Sequence, residues 1–318
     1  MTVLITGGLG FIGLNTARAL LDAGHDVVLT QYRVPRMPDF VKAELGRRVF
    51  IEQLDVADND RLLDLGRRYK VEAIVHLAGP GYSAPTPEYD FRVNMLGLLN
   101  IMEAARLWQV KRISIASSIA CYNGLPAGPF YEDMPLPLTA SGPIECYKKA
   151  YEITGLHFAQ RAGLDVVMMR IAGIWGPLDH ARGFAPIRLL SAAIRPSPKG
   201  PQLADIRGQD VFEENGFDLC YVKDCARGIA LLTLAESLPN RVYNLGAGRL
   251  TSNAAMAATI RRLLPAAEPT LKPGRGPNFR PDAYMDISRI RQDVGYAPEY
   301  PIERAVPDYI DWLRDHAE

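Results

Sequence analysis

Cysteine is scarce in this chain. Its 318 residues include four, Cys121, Cys146, Cys220 and Cys225. None forms a CxxC pair, and the spacings suit neither a zinc site nor a small disulfide scaffold. Reduced thiols in a cytoplasmic protein, with no metal site, are the expectation. An excess of either charge is missing too. Thirty-six Lys and Arg balance 36 Asp and Glu, so no basic stripe argues for nucleic acid and no acidic tail for a basic partner. No uninterrupted apolar run approaches the roughly eighteen residues of a membrane span. No charged region followed by an apolar one marks a secretory leader. Internal repeats and low-complexity segments are also lacking. These absences leave a small molecule as the expected partner.

What is present is apolar residue in quantity, 48% of the chain, enough for a sizeable core. Short β-rich runs stand at 2–6, 26–30, 48–53, 72–78, 112–117 and 165–170. Helical periods separate them; Leu14, Ala17 and Leu21 share one face, and 89–108 reads as one long helix with a wide apolar stripe. Alternating strands and helices predict an α/β fold, a doubly wound, Rossmann-type parallel sheet. After residue 176 the pattern loosens. Residues 195–203 and 265–282 are rich in proline and glycine, which makes irregular loops. The expected division is a Rossmann domain over 1–170 with a return segment at about 216–248. A smaller, discontinuous substrate lobe then takes 171–215 and 249–318. The stretch 216–236 reads as a strand and helix returning to the main sheet.

"TGGLGFIG" (6–13) follows the first strand and opens the first helix. Glycines at 7, 10 and 13 permit a tight turn and let backbone approach a pyrophosphate. The helix N-terminus adds free N–H groups. Gly7, Gly10, Phe11 and Ile12 are the candidate contacts of this loop with a dinucleotide. The second strand ends at Gln31, where an acidic residue usually binds the adenine ribose. No carboxylate is there, and Arg33 and Arg36 follow. A carboxylate repels a 2′-phosphate and an arginine pairs with one. NAD or NADP is the expected cofactor, with a modest lean to NADP through Gln31 and Arg33.

Further motifs follow in order: "LDV" (54–56), "HLAG" (76–79), "VNMLGLLNIMEAA" (93–105), "ASSIACYNG" (116–124), "YVKDCARGIAL" (221–231), "VYNLGAG" (242–248) and "DISRIRQDVGYAP" (286–298). With the glycine loop, this set resembles the extended short-chain dehydrogenase/reductase family, the NAD-dependent epimerase/dehydratase group, over nearly the whole chain. The resemblance implies an active site in the cleft between a Rossmann domain and a small lobe. It implies adenine contacts from Asp55 and Val56. It places Leu77, Ala78, Gly79 and Asn94 along the cofactor path, Ser118 at the catalytic Ser/Thr, and Lys148 at the catalytic lysine, where it binds the nicotinamide ribose. Glu152 falls at a later family glutamate and Arg170 at the usual distance beyond. Family members often dimerise through two long helices, here roughly 88–107 and 146–162, so a homodimer is expected.

One residue breaks the pattern. The family motif is Tyr-x-x-x-Lys, and four residues before Lys148 stands Ile144. Lys149 does not restore it, because Glu145 lies four before that. A phenol beside a lysine cation can take and return a substrate proton; isoleucine cannot. Tyr147 on the same helix, Glu145, and Tyr122 or Cys121 in the Ser118 loop are the conceivable replacements. Each has a structural alternative: helix packing, a solvated helix start, a buried small residue. The resemblance also implies substrate hints. Ile119 and Ala120 stand where sugar 4,6-dehydratases carry an Asp–Glu pair, and Phe217 stands where many nucleotide-sugar enzymes carry an arginine. Arg182, Arg188, Arg275 and Arg280 are the candidates for a diphosphate. The expectation is an NAD(P)-dependent oxidoreductase or epimerase acting on a sugar-like or other polyhydroxy substrate, with atypical proton transfer. The alternatives are a non-redox dinucleotide-binding sensor or scaffold, and a lyase or isomerase that has lost the tyrosine-based reaction.

Overall fold

A computed structural model describes residues 1–32, 39–79, 86–179, 211–265, 269, 271–277 and 279–315. Seven parallel strands form the main sheet. They are β1 (Thr2–Thr6), β2 (Asp26–Gln31), β3 (Val49–Gln53), β4 (Val71–His76), β5 (Arg112–Ser118), β6 (Val166–Ile171) and β10 (Val242–Leu245), in spatial order β10-β6-β5-β4-β1-β2-β3. The order reverses between β1 and β4. That reversal opens a crevice beyond the strands' C-terminal ends, where ligands of such sheets bind.

The strands are apolar on both faces because both are covered. Val3, Ile5, Val27, Leu29, Ala73 and Val75 join one buried cluster. Their intervening neighbours Leu4, Val28 and Ile74 join another, as a period of two requires. Helices α1 (Phe11–Asp22) and α6 (Val222–Leu234) cover the first face, with Leu14, Leu20, Cys225 and Ile229 at the contact. On the second lie α2 (Asn59–Arg68), α4 (Gly97–Trp108) and α5 (Pro143–Ala162), through Leu62, Ile101, Met102 and Tyr151.

Two expectations about the elements need correction. The helix foreseen over 89–108 is three pieces: α3 (Pro87–Phe91), a π-helical turn (Arg92–Leu96) and α4. The apolar stripe runs through all three, so periodicity alone does not reveal the extra residue in the turn. The strand near 216–221 does not return to the main sheet. β8 (Gly216–Phe217) pairs with β11 (Thr251–Ser252), and β9 (Leu219–Tyr221) pairs with β7 (Gly173–Trp175). β10 supplies the returning strand, alongside β6. A third cluster gathers Trp175, Leu219 and Tyr221 with residues of α7 (Asn253–Leu263) and α9 (Ile302–Asp315). Helix α8 (Ser288–Val294) packs near β10.

Candidate active site

β1 ends at Thr6, and the chain turns at Gly7 with φ +67°, a region that favours glycine. A Cβ at Gly7 would stand 3.1 Å from the backbone of Ala78, and one at Gly13 only 2.4 Å from the Gly7 carbonyl. The loop is thus drawn tight against both the first turn of α1 and the loop after β4. Gly10 closes it by donating its N–H to Gly7 O at 2.9 Å. Helix α1 begins at Phe11 and Ile12 with no side-chain cap and no acidic residue in its first turn. Its leading N–H groups are left to an anion. These residues fit a dinucleotide pyrophosphate, and a side chain on Gly13 would fill the cradle.

The neighbouring loops are placed where the sequence motifs put them. Gln31 ends β2 beside Gln53 of β3. Arg33 and Arg36 lie outside the described residues, as do Arg182 and Arg188. Asp55 accepts the N–H of Ala57, and the carbonyl of buried Val56 accepts from Asn100 of α4 at 2.9 Å. Leu77 and Ala78 are half-buried and Gly79 is exposed. Asn94 sits in the π-helical turn. Its Nδ2 donates to Asp90, at 2.8 Å to the carbonyl and 2.9 Å to Oδ1, and its Oδ1 accepts from Tyr151 at 3.1 Å.

Helix α5 carries two adjacent lysines with opposite surroundings. Lys149 Nζ donates to Glu145 Oε1 at 2.6 Å and to Thr139 O at 2.7 Å. Glu145 Oε2 also accepts the N–H and hydroxyl of Ser141 and the amide of Asn123. Burial raises the Glu145 carboxyl, but these donors outweigh it and bring the pKa down to about 2. Lys148 is half-buried, one turn beyond Ile144. Among the described residues no hydrogen bond or carboxylate holds its Nζ, which lies 4.6 Å from the centre of the Tyr151 ring. Burial lowers its pKa to about 8, against a small opposing effect of Cys121.

His76, at the end of β4, lies beneath this lysine. Its ring stacks on Tyr151 at 6.0 Å. Nδ1 meets Thr6 Oγ1 at 2.7 Å, and Nε2 is buried without a partner among the described residues. Burial, then the charge of Lys148, depress its pKa to about 3. The imidazole is therefore neutral. The sequence motif "HLAG" contains His76, but nothing in its spacing signals this contact.

Ser118 ends β5, and its Oγ accepts the N–H of Ala120 at 3.1 Å. The residue before it begins a buried polar chain. Ser117 donates to Glu152 Oε1 at 2.5 Å; Arg170 Nη2 meets Glu152 Oε2 at 2.6 Å; Arg170 Nη1 donates to the Tyr122 hydroxyl and to Glu132 O. Tyr122 in turn donates to Asn244 Oδ1 at 2.7 Å. Glu152 and Arg170 are 6% and 4% exposed. Sequence reasoning missed Ser117 and Asn244; only the meeting of β5, α5, β6 and β10 brings them together. Tyr147 is edge-on to Phe91 at 6.5 Å, and burial with the charge of Asp90 pushes its phenol up. Arg280 lies over the Phe130 ring at 5.3 Å, near the Glu145 charge, whereas Arg275 bonds Glu214 at the surface.

A parallel sheet whose strand order reverses, with a glycine turn and an uncapped helix start beside the reversal, is the architecture of the dinucleotide-binding α/β class. The chain matches the NAD dependent epimerase/dehydratase family over residues 3–246 and belongs to that family of enzymes. It is 27% identical, over the whole of both chains, to a UDP-glucose 4-epimerase of Mycolicibacterium smegmatis. Its identity to a dTDP-glucose 4,6-dehydratase of Streptomyces niveus is 26%, covering 99% of this chain and 94% of that one. Among solved structures, UDP-glucose 4-epimerase of Thermotoga maritima with UDP-glucose superposes with a TM-score of 0.81 at 22% identity, covering 99% of both chains. MoeE5 in complex with UDP-glucuronic acid and NAD gives 0.77 at 25% identity, again over 99% of each.

Proposed function

We propose that this protein is an NAD(P)-dependent epimerase or oxidoreductase acting on a nucleotide sugar. The observation that carries the reading is the tight Gly7–Gly13 cradle and uncapped α1, with Lys148 near His76 at the end of β4, a strand that borders the crevice. A bound nicotinamide supplies reversible hydride acceptance. The chain's own residues do the rest. The loop N–H groups would take the pyrophosphate, and Asp55 and Val56 would contact the adenine. Leu77, Ala78, Gly79 and Asn94 line the path. Lys148 holds the nicotinamide ribose, and Ser118 Oγ orients a substrate oxygen. Arg280, on the lobe side, offers a guanidinium to a diphosphate. Gln31 leaves no carboxylate to repel a 2′-phosphate and supports NADP. The neighbours whose names include a cofactor hold NAD, so Gln31 is the position that decides between them.

The test is a titration of the purified protein with NAD, NADH, NADP and NADPH, after stripping any carried cofactor. Interconversion of UDP-glucose and its C4 epimer is then followed. Micromolar binding of one pair with turnover supports the reading; no binding of any of the four sinks it. Ile144 favours a second reading, a sensor that binds the dinucleotide without redox chemistry. Turnover by the wild type excludes that reading, and activity appearing only in Ile144→Tyr supports it.

We also propose a homodimer. Phe91, Leu99 and Leu107 on α3 and α4, and Ile153 on α5, are 59%, 50% or less, and 65% exposed. These helices pack side by side, so their outward residues form one apolar face, which a second copy covers. Leu99→Glu is expected to give monomers by light scattering. The four free thiols, with Cys146 exposed, support a reducing compartment such as the cytoplasm.

A further inference from the structure

The surroundings of each conceivable stand-in for the tyrosine argue against it. Glu145 is saturated by Lys149, Ser141 and Asn123 and held near pKa 2, too weak a base for a sugar hydroxyl. Tyr147 faces Phe91, and its phenol is pushed up rather than down. Tyr122 is wholly buried, its hydroxyl spent between Arg170 and Asn244. Cys121 is buried and its thiol is pushed up to about 11. Among the described residues, one basic atom near these positions on α5 has no hydrogen-bond partner, Lys148 Nζ.

Resting on the function proposed above, we propose that Lys148 Nζ is itself the proton-transfer group, positioned by the buried His76–Tyr151 stack. The geometry has two parts. Ile144 lies on the same helix stripe one turn earlier, so no phenol shares that stripe with the lysine there. Among the described residues, the groups facing Nζ offer no negative charge to trap the ammonium. They are His76 from β4, Cys121 from the turn after β5, and Tyr151 from α5 itself, all neutral. Glu152, one turn further along, is consumed by Arg170. A lysine so placed has a neutral amine within reach near neutral pH.

The step balances. A substrate O–H bond breaks, and its proton joins the lone pair of the neutral Lys148 amine. The C–H electron pair leaves as hydride to the nicotinamide dinucleotide, the oxidant, and the C=O bond forms. Reduction reverses each change, with the ammonium as acid. His76 is a positioning residue: Thr6 fixes its ring, and its ring fixes Tyr151 under the lysine.

The test follows the lysine side chains directly, by NMR of protein labelled with 13C at lysine Cε. One resonance is expected to titrate at about 8, well below the ordinary lysine value of about 10.4. It should be missing from Lys148→Arg and from Lys148→Met, two variants that secure the assignment. Lys148→Arg should keep dinucleotide affinity within about tenfold yet lose about 10²–10⁴-fold in kcat with UDP-glucose. Wild-type kcat for oxidation should rise to a plateau above the same pH. His76→Gln should shift that plateau, which a merely structural role would leave in place. A Lys148 that titrates with the other lysines, or a Lys148→Arg protein that keeps turnover within tenfold, overturns the proposal and leaves the proposed function standing. A wild type that binds no dinucleotide overturns both.

Discussion

The two lysines at 148 and 149 sit about 100° apart around one helix, and their surroundings differ in kind. Lys149 is matched by Glu145, and Glu152, which lies between the two stripes, is matched by Arg170. On the Lys148 side the ammonium meets an aromatic ring and a neutral imidazole with an unpartnered nitrogen. Burying an ion without a partner costs free energy. A protein tolerates that cost where a ligand is to complete the site. The paired charges hold the helix in place, and the Lys148 side is the one that the proposed function gives to cofactor and substrate.

The largest expected effect comes from breaking the paired charges. Glu152→Gln strands the Arg170 charge and should cost about 3–5 kcal/mol in urea unfolding. Gly13→Ala comes next. Its methyl group meets the Gly7 carbonyl at 2.4 Å, so overpacking should cost about 1–3 kcal/mol, and dinucleotide binding by fluorescence titration should be lost. Lys148→Met tests the other side with the opposite sign. A cation whose folded pKa is about 8 and unfolded pKa 10.5 penalises the folded state below pH 8, and that penalty fades as pH rises between the two values. The variant should therefore melt higher than wild type at neutral pH, and the gap should close in alkali. A lower melting point would show that the lysine is structurally paired after all. The smallest effect concerns Glu145. Its folded pKa is depressed to about 2 from 4.5, so its stabilisation is present above the unfolded value and lost as pH falls towards 2. Glu145→Gln should flatten that part of the acid-unfolding curve.

Much of the framework was readable in advance. The six β-rich runs became β1 to β6 because β-branched and apolar residues suit strands covered on both faces. The glycine loop was legible because its spacing serves a backbone geometry that few sequences need. The π-helical turn was not, since its apolar stripe continues unbroken on either side. The strand pairings of the second half were also hidden. β8 and β9 are two and three residues long, too short for a period to register, and their partners lie far away in the chain.

Ile144 marks the limit of reading along the chain. Counting back from Lys148 shows that the tyrosine is gone, and it leaves Tyr147 first among substitutes, with Glu145, Tyr122 and Cys121 still open. Only the fold separates them, because their fitness depends on which neighbours satisfy each polar atom. By itself the sequence determined the strand and helix order, the phosphate loop and the missing phenol, since these follow from local propensity, backbone sterics and residue identity. The tertiary structure decided which charges are paired, which carboxylate is spent and which lysine stands unpaired over His76. Those are matters of distance between segments far apart in the chain, and free energies of burial exist only once the segments meet.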